Sequence, residues 1–528
     1  MVSGSAVVSL RTSTEVLERV ANTEEVVEYT ELTDYSMPGG TVTAWEPQVD
    51  ATEWQTDSRQ LSYMHLEHAR RAVREGSEWY SQWIGTAFRI EHPLDREALS
   101  RTIIAWYRRH EAFRTSVRVH EPEHPQGDLT RITISADSIT VRQRDFGSDL
   151  AADEVSGLVT DYFNRTVTPL SWPHCIAVTV EPTGDDTGFL LVFAADHTVM
   201  DAYTQVFAIR ELTALYAAEV TGEPHALHQF GSYLDFSDAE RRLGEQIDAN
   251  NVAVSQWRDF FDDTPTAVQP EPVPRFPRFE VPAGSPRTIV SERLPDNGFQ
   301  ATLSHWLLDA ADTKRFDAVC KGAGSSMTAG IYTALSMTSA ALSGSADLRF
   351  IGPVHTRNAI EWGEAVGWFV GIIPVAIRPG RPAKFTDALT AVAATSTQYK
   401  SVGAAPFAPV AELIGGDVTP PGFVVSYIDL RHAEGAADWT PRQARVLRSA
   451  TRDADEVYFW INRIPTGLNV SARFPADENA AAVEVFLSTF REILTTIVAD
   501  GDCEYTYRAV ESVPAGAHTG GSTAALGS

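Results

Sequence analysis

Apolar residues run without a break through "GFLLVFAA" at 188–195. A run this short with no polar alternation predicts a strand covered on both faces of a sheet. The pattern changes after Asp201, where Val206, Ile209, Leu212 and Tyr216 recur at helical spacing and predict a helix to about Val220. The same two signatures recur along the first half. Residues 59–81 read as a helix and "WIGTAFRI" at 83–90 as a strand. Leu99, Ile103 and Trp106 mark a helix whose start is signalled by Pro93 and Asp95. Strands are expected over 130–144 and 175–181.

The second half repeats this grammar. It predicts a strand near 290–296, helices near 309–321 and over 327–342, and strands at 347–352, 366–377 and 422–430. "VYFWINRIP" and "GLNVSARFP" read as a hairpin, and a final helix spans about 479–499. Between the halves, residues 262–290 hold seven prolines, which remove backbone donors and favour extended chain. The expected division is a loose arm over 1–33, a domain over 34–265, a Pro-rich linker over 266–290, a second domain over 291–508 and a disordered tail over 509–528. Each half mixes strands and helices in a layered α/β sandwich.

Composition narrows the picture. The 528 residues, 43% of them hydrophobic, suit two domains with sizeable cores. A net charge of −27 repels nucleic acid and anionic membrane, so no nucleic-acid partner is expected. Arg442, Arg445, Arg448 and Arg452 stand out against this acidity. On a helix they form one positive face; on a strand or loop that face dissolves. The plain reading is solvated surface, and the alternative is a site for an anion or a carrier protein.

Cys175, Cys320 and Cys503 are far apart and form no CxxC pair, so neither a disulfide framework nor a zinc site is expected. Reduced thiols point to a cytoplasmic chain. No apolar run is long enough to span a bilayer, which leaves at most a loose association with the inner face of a membrane. A monomer is expected.

The candidate chemistry lies just past the central strand. His197 follows it and Asp201 comes four residues later, at the start of a helix. Strand ends in α/β sheets commonly display reactive side chains, and an imidazole there can take a proton from a hydroxyl or amine. The spacing alone is weak among 14 histidines, and Asp201 has a simpler use as a helix cap. No GxSxG, GxxxxGK[ST] or HExxH occurs, and "DFG" at 145–147 has no kinase catalytic loop beside it.

Several separated segments resemble the condensation-domain superfamily. "LDREALSRTIIAWYRRHEAFRTSV" at 94–117 carries its helix-then-strand signature in Arg109, His110, Phe113, Arg114 and Thr115. Residues 318–342 resemble the helical stretch that opens its second half, and "AVGWFVGIIPV" at 365–375 its Gly-x-Phe-Val-Asn strand, with Gly371 in place of Asn. "DYSMPGGTVTAWEP", "HTRNAIEWGEAVGWF", "FVVSYIDLR" and "FWINR" look like the polyketide-associated (Pap) acyltransferases that build trehalose glycolipids. The likeness covers about residues 34–505, in the right order.

The resemblance implies two chloramphenicol-acetyltransferase-like domains in a V, with the active site in a tunnel between them. The family motif is His-His-x-x-x-Asp-Gly, whose second histidine does the chemistry. His197 matches it, and Asp201 matches the aspartate that pairs with an arginine, for which Arg357 is the candidate. Asp196 replaces the first histidine and Ala202 the glycine. An anionic Asp196 is expected to raise the His197 pKa. Asp196, Trp368, Ser426, Tyr427 and Trp460 are candidate tunnel or substrate-binding residues.

The implied activity is cofactor-free and metal-free acyl transfer. The donor would be a thioester on coenzyme A or a carrier protein, and the acceptor a hydroxyl of a sugar such as trehalose or of another lipid or polyketide alcohol. A stand-alone nonribosomal-peptide condensation enzyme is the alternative. A non-catalytic docking module is the second, because its usual sign is an altered motif.

Overall fold

The computed structural model describes residues 29–31, 35–80, 82–120, 129–184, 187–262, 274–282, 298–415, 422–453, 455–477 and 480–508. The strands of the first half are β1 (Tyr29–Glu31), β2 (Gly40–Gln48), β3 (Gln55–Thr56), β4 (Trp83–Ile90), β5 (Thr115–Val119), β6 (Leu129–Thr133), β7 (Thr140–Leu150), β8 (Cys175–Pro182) and β9 (Phe189–Asp196). The second half adds β10 (Ala301–Asp309), β11 (Leu348–His355), β12 (Val370–Ile377), β13 (Phe423–Asp429), β14 (Arg445–Arg448), β15 (Val457–Ile464) and β16 (Gly467–Phe474). The helices are α1 (Tyr63–Glu75), α2 (Arg96–Arg109), α3 (Ala152–Thr166), α4 (Ala202–Thr221), α5 (Tyr233–Glu245), α6 (Val252–Asp262), α7 (Ala310–Gly322), α8 (Met327–Ser343), α9 (Phe385–Lys400), α10 (Phe407–Ile414) and α11 (Ala480–Asp500).

Two large mixed sheets organise the molecule into two lobes. The first runs β1-β14-β4-β9-β8-β2-β7 and the second β10-β16-β15-β13-β11-β12; β3, β6 and β5 form a small third sheet. Strand alternation sets the layers. Phe189, Leu191 and Phe193 of β9 pack with Leu99, Ile103 and Trp106 of α2 and with Ile209 and Leu212 of α4. Leu190, Val192 and Ala194 face the other way, with Val155, Val159 and Phe163 of α3. β9 is buried at every residue, as its unbroken apolar run requires.

In the second lobe, Phe423, Val425, Phe459 and Val470 share a core with Phe316, Leu335, Leu389 and Phe486 of the helices α7, α8, α9 and α11. The opposite face of that sheet carries Ser426, Trp460 and Ser471, and its far end, at Ile428 and Ile464, joins the core of the first lobe.

The first lobe takes one strand from the second half of the chain. β14 comes from the second half of the chain, yet it sits in the first sheet, antiparallel to β4 and parallel to β1. Gln205 of α4 locks it in place, donating both amide hydrogens to the carbonyls of Gly85 (2.6 Å) and Leu447 (3.0 Å). The arginine series therefore forms no common face. Arg448 is buried with its guanidinium 4.0 Å above the Trp460 ring, while Arg452 stands over Phe299 and Tyr80.

Other differences from the periodicity are local. The expected strand over 130–144 is two, β6 and β7, in different sheets. Between them Ser135 accepts from the Asp137 N–H and turns the chain through a short 3-10 segment. The arm expected over 1–33 ends in β1; residues 1–28, the strand expected near 290–296 and the tail over 509–528 lie outside the described residues. Within the Pro-rich stretch, Phe276 inserts among Phe423, Phe459 and Phe486, so its described middle is anchored to the second core. Trp257 and Phe260 of α6 belong to that core too. Among the described residues no helix is long and apolar enough to cross a membrane.

Candidate active site

β9 delivers Asp196 as its last residue, and the chain then bends through a single 3-10 turn, 197–199, before α4 begins. Each end of this bend is capped by an aspartate. Asp196 Oδ1 accepts from the Thr198 N–H (2.9 Å) and hydroxyl (2.7 Å). Asp201 Oδ1 accepts from the Thr204 N–H (2.9 Å) and hydroxyl (3.0 Å), which caps α4. His197 is thus presented from a short loop fixed at both sides.

Asp201 is also held from the second lobe. Arg357 follows β11 and reaches it with two nitrogens, Nη1 to Oδ2 at 2.5 Å and Nη2 to Oδ1 at 3.0 Å. The Phe369 N–H adds a third donor at 3.0 Å. Side-chain exposures of 1% for Asp201 and 5% for Arg357 make this a buried, bidentate pair. Burial alone would raise the Asp201 carboxyl, but the Arg357 guanidinium and the N–H donors hold it below the usual carboxylate range.

The same segment supplies Trp368, whose ring lies against the His197 imidazole (centroids 4.2 Å apart, 27° between planes). Gly367 makes this possible: its φ is +156°, and a Cβ there would meet the Tyr233 ring at 2.3 Å. His197 is partly exposed, but its Nδ1 is buried with no hydrogen-bond partner, which leaves Nε2 as the nitrogen open to a ligand. Burial and then the electrostatic influence of His68 lower its pKa to about 4, against the opposite pull of Asp201 and Asp196. The imidazole is neutral at physiological pH and ready to accept a proton.

The other candidate residues lie on β14 and the second sheet. Arg448 pairs with Ile84, and Ile84 with Ala195, so Arg448 lies two strands from the end of β9. It covers Trp460 and donates to the Ser471 hydroxyl at 2.7 Å. Ser426 is directly opposite Trp460 in the β13–β15 register. Tyr427, one residue on, faces the other way and packs on the second core near Asp429 and Arg463. It does not share the sheet face of Ser426 and Trp460; alternation of strand side chains separates it from Ser426.

His68 is a neighbour that sequence reasoning missed. It lies on the buried face of α1, with Nε2 3.4 Å from Asp196 Oδ2. The signal available was the pair His65 and His68 on the apolar side of an amphipathic helix. Among the described residues no group of three or more His, Cys, Asp or Glu side chains could hold a metal ion.

Residues 73–415 match the family described as Condensation domain. The chain belongs to that family. The acyltransferase PapA3 of Mycobacterium tuberculosis is 24% identical over 484 residues, covering 89% of this chain and 96% of the relative. The trehalose-2-sulfate acyltransferase PapA2 of Mycobacterium bovis is 23% identical over 487 residues, covering 89% and 97%. A solved structure of a PapA2 acyl transferase superposes with a TM-score of 0.75 at 20% identity, over 90% of this chain and all of that one. These relatives place the chain among the acyltransferases of the condensation-domain family, with the two-lobed fold expected of it.

The departures from the family motif now have physical accounts. Ala202 is the first residue of α4 and has no positive φ, so nothing there calls for glycine. At Gly371, where the resemblance leads one to expect Asn, a Cβ would lie 2.2 Å from the Gly403 carbonyl oxygen, which excludes any side chain. Asp196 does push the His197 pKa upward, as expected, yet the net shift is downward. Burial of the imidazole outweighs it, and the Asp196 carboxylate is directed at His68 and Thr198 instead.

Proposed function

We propose that the protein moves an acyl group from a thioester, on coenzyme A or a carrier protein, to a sugar hydroxyl, with His197 as general base. The observation that carries this reading is a neutral, partly open imidazole held where the two lobes meet, between the Trp368 stack and the Asp201–Arg357 pair. His197 Nε2 takes the hydroxyl proton as the oxygen forms its bond to the thioester carbonyl carbon. The carbon–sulfur bond then breaks, and the departing thiolate recovers the proton from the imidazolium. No residue of the protein is acylated along the way.

The sugar acceptor is supported by the relatives: PapA2 is named for trehalose-2-sulfate. An acidic chain would recognise such an anionic or polyhydroxyl acceptor through a local wall, and Arg448 with Trp460 supplies one. The test is incubation of the purified protein with acyl-coenzyme A and, in parallel, trehalose, sulfated trehalose, a long-chain alcohol and an amino-acid amine. Thiol release and product mass are followed. Ester formation that His197→Ala abolishes supports the reading. An amide product alone would assign it to peptide-type condensation, and turnover unaffected by His197→Ala would refute the base.

A further inference from the structure

Asp196 has no exposed surface, yet its carboxyl is ionised. Burial alone would raise its pKa, and the neighbouring His68, the Thr198 N–H and His174 bring it down to about 2. A buried carboxylate is costly unless its lone pairs are met. Oδ1 takes both Thr198 bonds, and Oδ2 faces His68. His68 in turn sets its ring edge-to-face against Trp368 (5.5 Å, 89°) and Trp79 (5.1 Å, 85°). Trp368 lies flat on His197. One carboxylate thereby fixes both the turn that presents His197 and the histidine that braces the ring stacked on it.

We infer that His68 is a positioning residue for His197, held by the Asp196 carboxylate and acting through Trp368. This deepens the reading of His197 as the base and rests on it. The altered motif is then a relocation: the histidine missing at 196 is answered by one that arrives from α1, 128 residues away, and faces the Asp196 carboxylate. The charged and titratable groups around His197 are His68, Asp201 and Asp196, with Arg357 behind Asp201. Those around Asp196 are His68, His174 and His65. His68 pulls the His197 pKa down, so its removal moves the His197 titration upward.

Two variants test this. His68→Gln keeps a donor facing Asp196 but loses the ring and the titratable group. Asp196→Asn with His68→Gln removes both titratable groups together and guards against a single variant that does not fold. Steady-state acyl transfer and an NMR titration of histidine-labelled full-length protein are measured on each, beside wild type and His197→Ala. The expected result is a fall in kcat of about tenfold or more with each KM within about twofold, and a His197 titration shifted above that of wild type. Folded variants with wild-type kcat and an unmoved His197 titration overturn the inference. If acyl transfer depends on His197 but not on His68, the inference fails and the proposed base stands. If no acyl transfer is found while the His197 titration moves, the proposed reaction fails and the coupling stands.

Discussion

Arg357→Ala leaves the Asp201 carboxylate buried beneath the joint between the lobes. Asp201 keeps the N–H donors of Thr204 and Phe369 but loses both guanidinium bonds and the opposite charge. Removing one partner of a buried pair costs about 3–5 kcal/mol, because the other charge stays without compensation. For a cooperative unit of 150–250 residues that is a fall in Tm of about 6–20 °C. The deficit also has a pH signature. In the wild type Asp201 is held below its unfolded value, so the pair contributes fully at neutral pH and its contribution fades only as pH falls through the folded-state value. In the variant, burial is the largest remaining influence, and the carboxyl protonates well before that point. The Tm difference between variant and wild type is therefore larger at pH 7.5 than at pH 5, read by differential scanning fluorimetry in matched salt. Asp201→Asn combined with Arg357→Met recovers most of the loss, since neither charge is then stranded. A loss below about 1 kcal/mol, or one equal at both pH values, refutes the claim that this pair ties the lobes.

The acid limb of kcat/KM reports His197: the base is available above its pKa of about 4 and lost below it, so the rate stays level from pH 8 to about 5 and then declines. A limb near pH 6.5 in the free enzyme would contradict the enclosed imidazole. Gly371→Asn, which restores the residue suggested by the family strand, forces a Cβ into the Gly403 carbonyl. It destabilises by about 1–3 kcal/mol in urea unfolding; a neutral outcome would mean the loop carrying Gly403 moves freely. Gln205→Leu strips the carbonyls of Gly85 and Leu447 of their buried donor and loosens β14. Its cost is about 2–4 kcal/mol, with faster amide exchange confined to β14 and β4; uniform exchange across the first sheet would show that the clamp is dispensable.

Which of these features the sequence revealed follows from the range of the forces behind them. β9 and α4 were legible because burial on both faces leaves an unbroken apolar run and a packed helix leaves a 3.6-residue rhythm. Both patterns are written in adjacent residues. His197, Asp201 and the partner Arg357 were reached because several separated segments resembled a family in the right order, not because spacing demanded them. What escaped was pairing between distant segments. The four residues of β14 look like any short basic stretch, and only the assembled sheet shows them completing the first lobe from the second half of the chain. Tyr427 and Ser426 were grouped together because neighbours in sequence look alike until a strand sends them to opposite faces.

Asp196 is the sharpest case. As a letter it was a defect in a motif, and its expected influence was a local one on the next residue. A carboxylate acts on whatever it faces, however, and the backbone turn points this one away from the imidazole of His197 and toward α1. Its energetic effect is therefore set chiefly by His68 and Thr198, and it bears on His197 through the ring stack as well as through a direct upward pull on its pKa. A histidine on the apolar face of α1 is an ordinary core residue by pattern alone, and the aspartate is an ordinary cap. Only their meeting gives either one a bearing on the base, and such a meeting is a property of the fold, which no periodicity in one strand of text encodes.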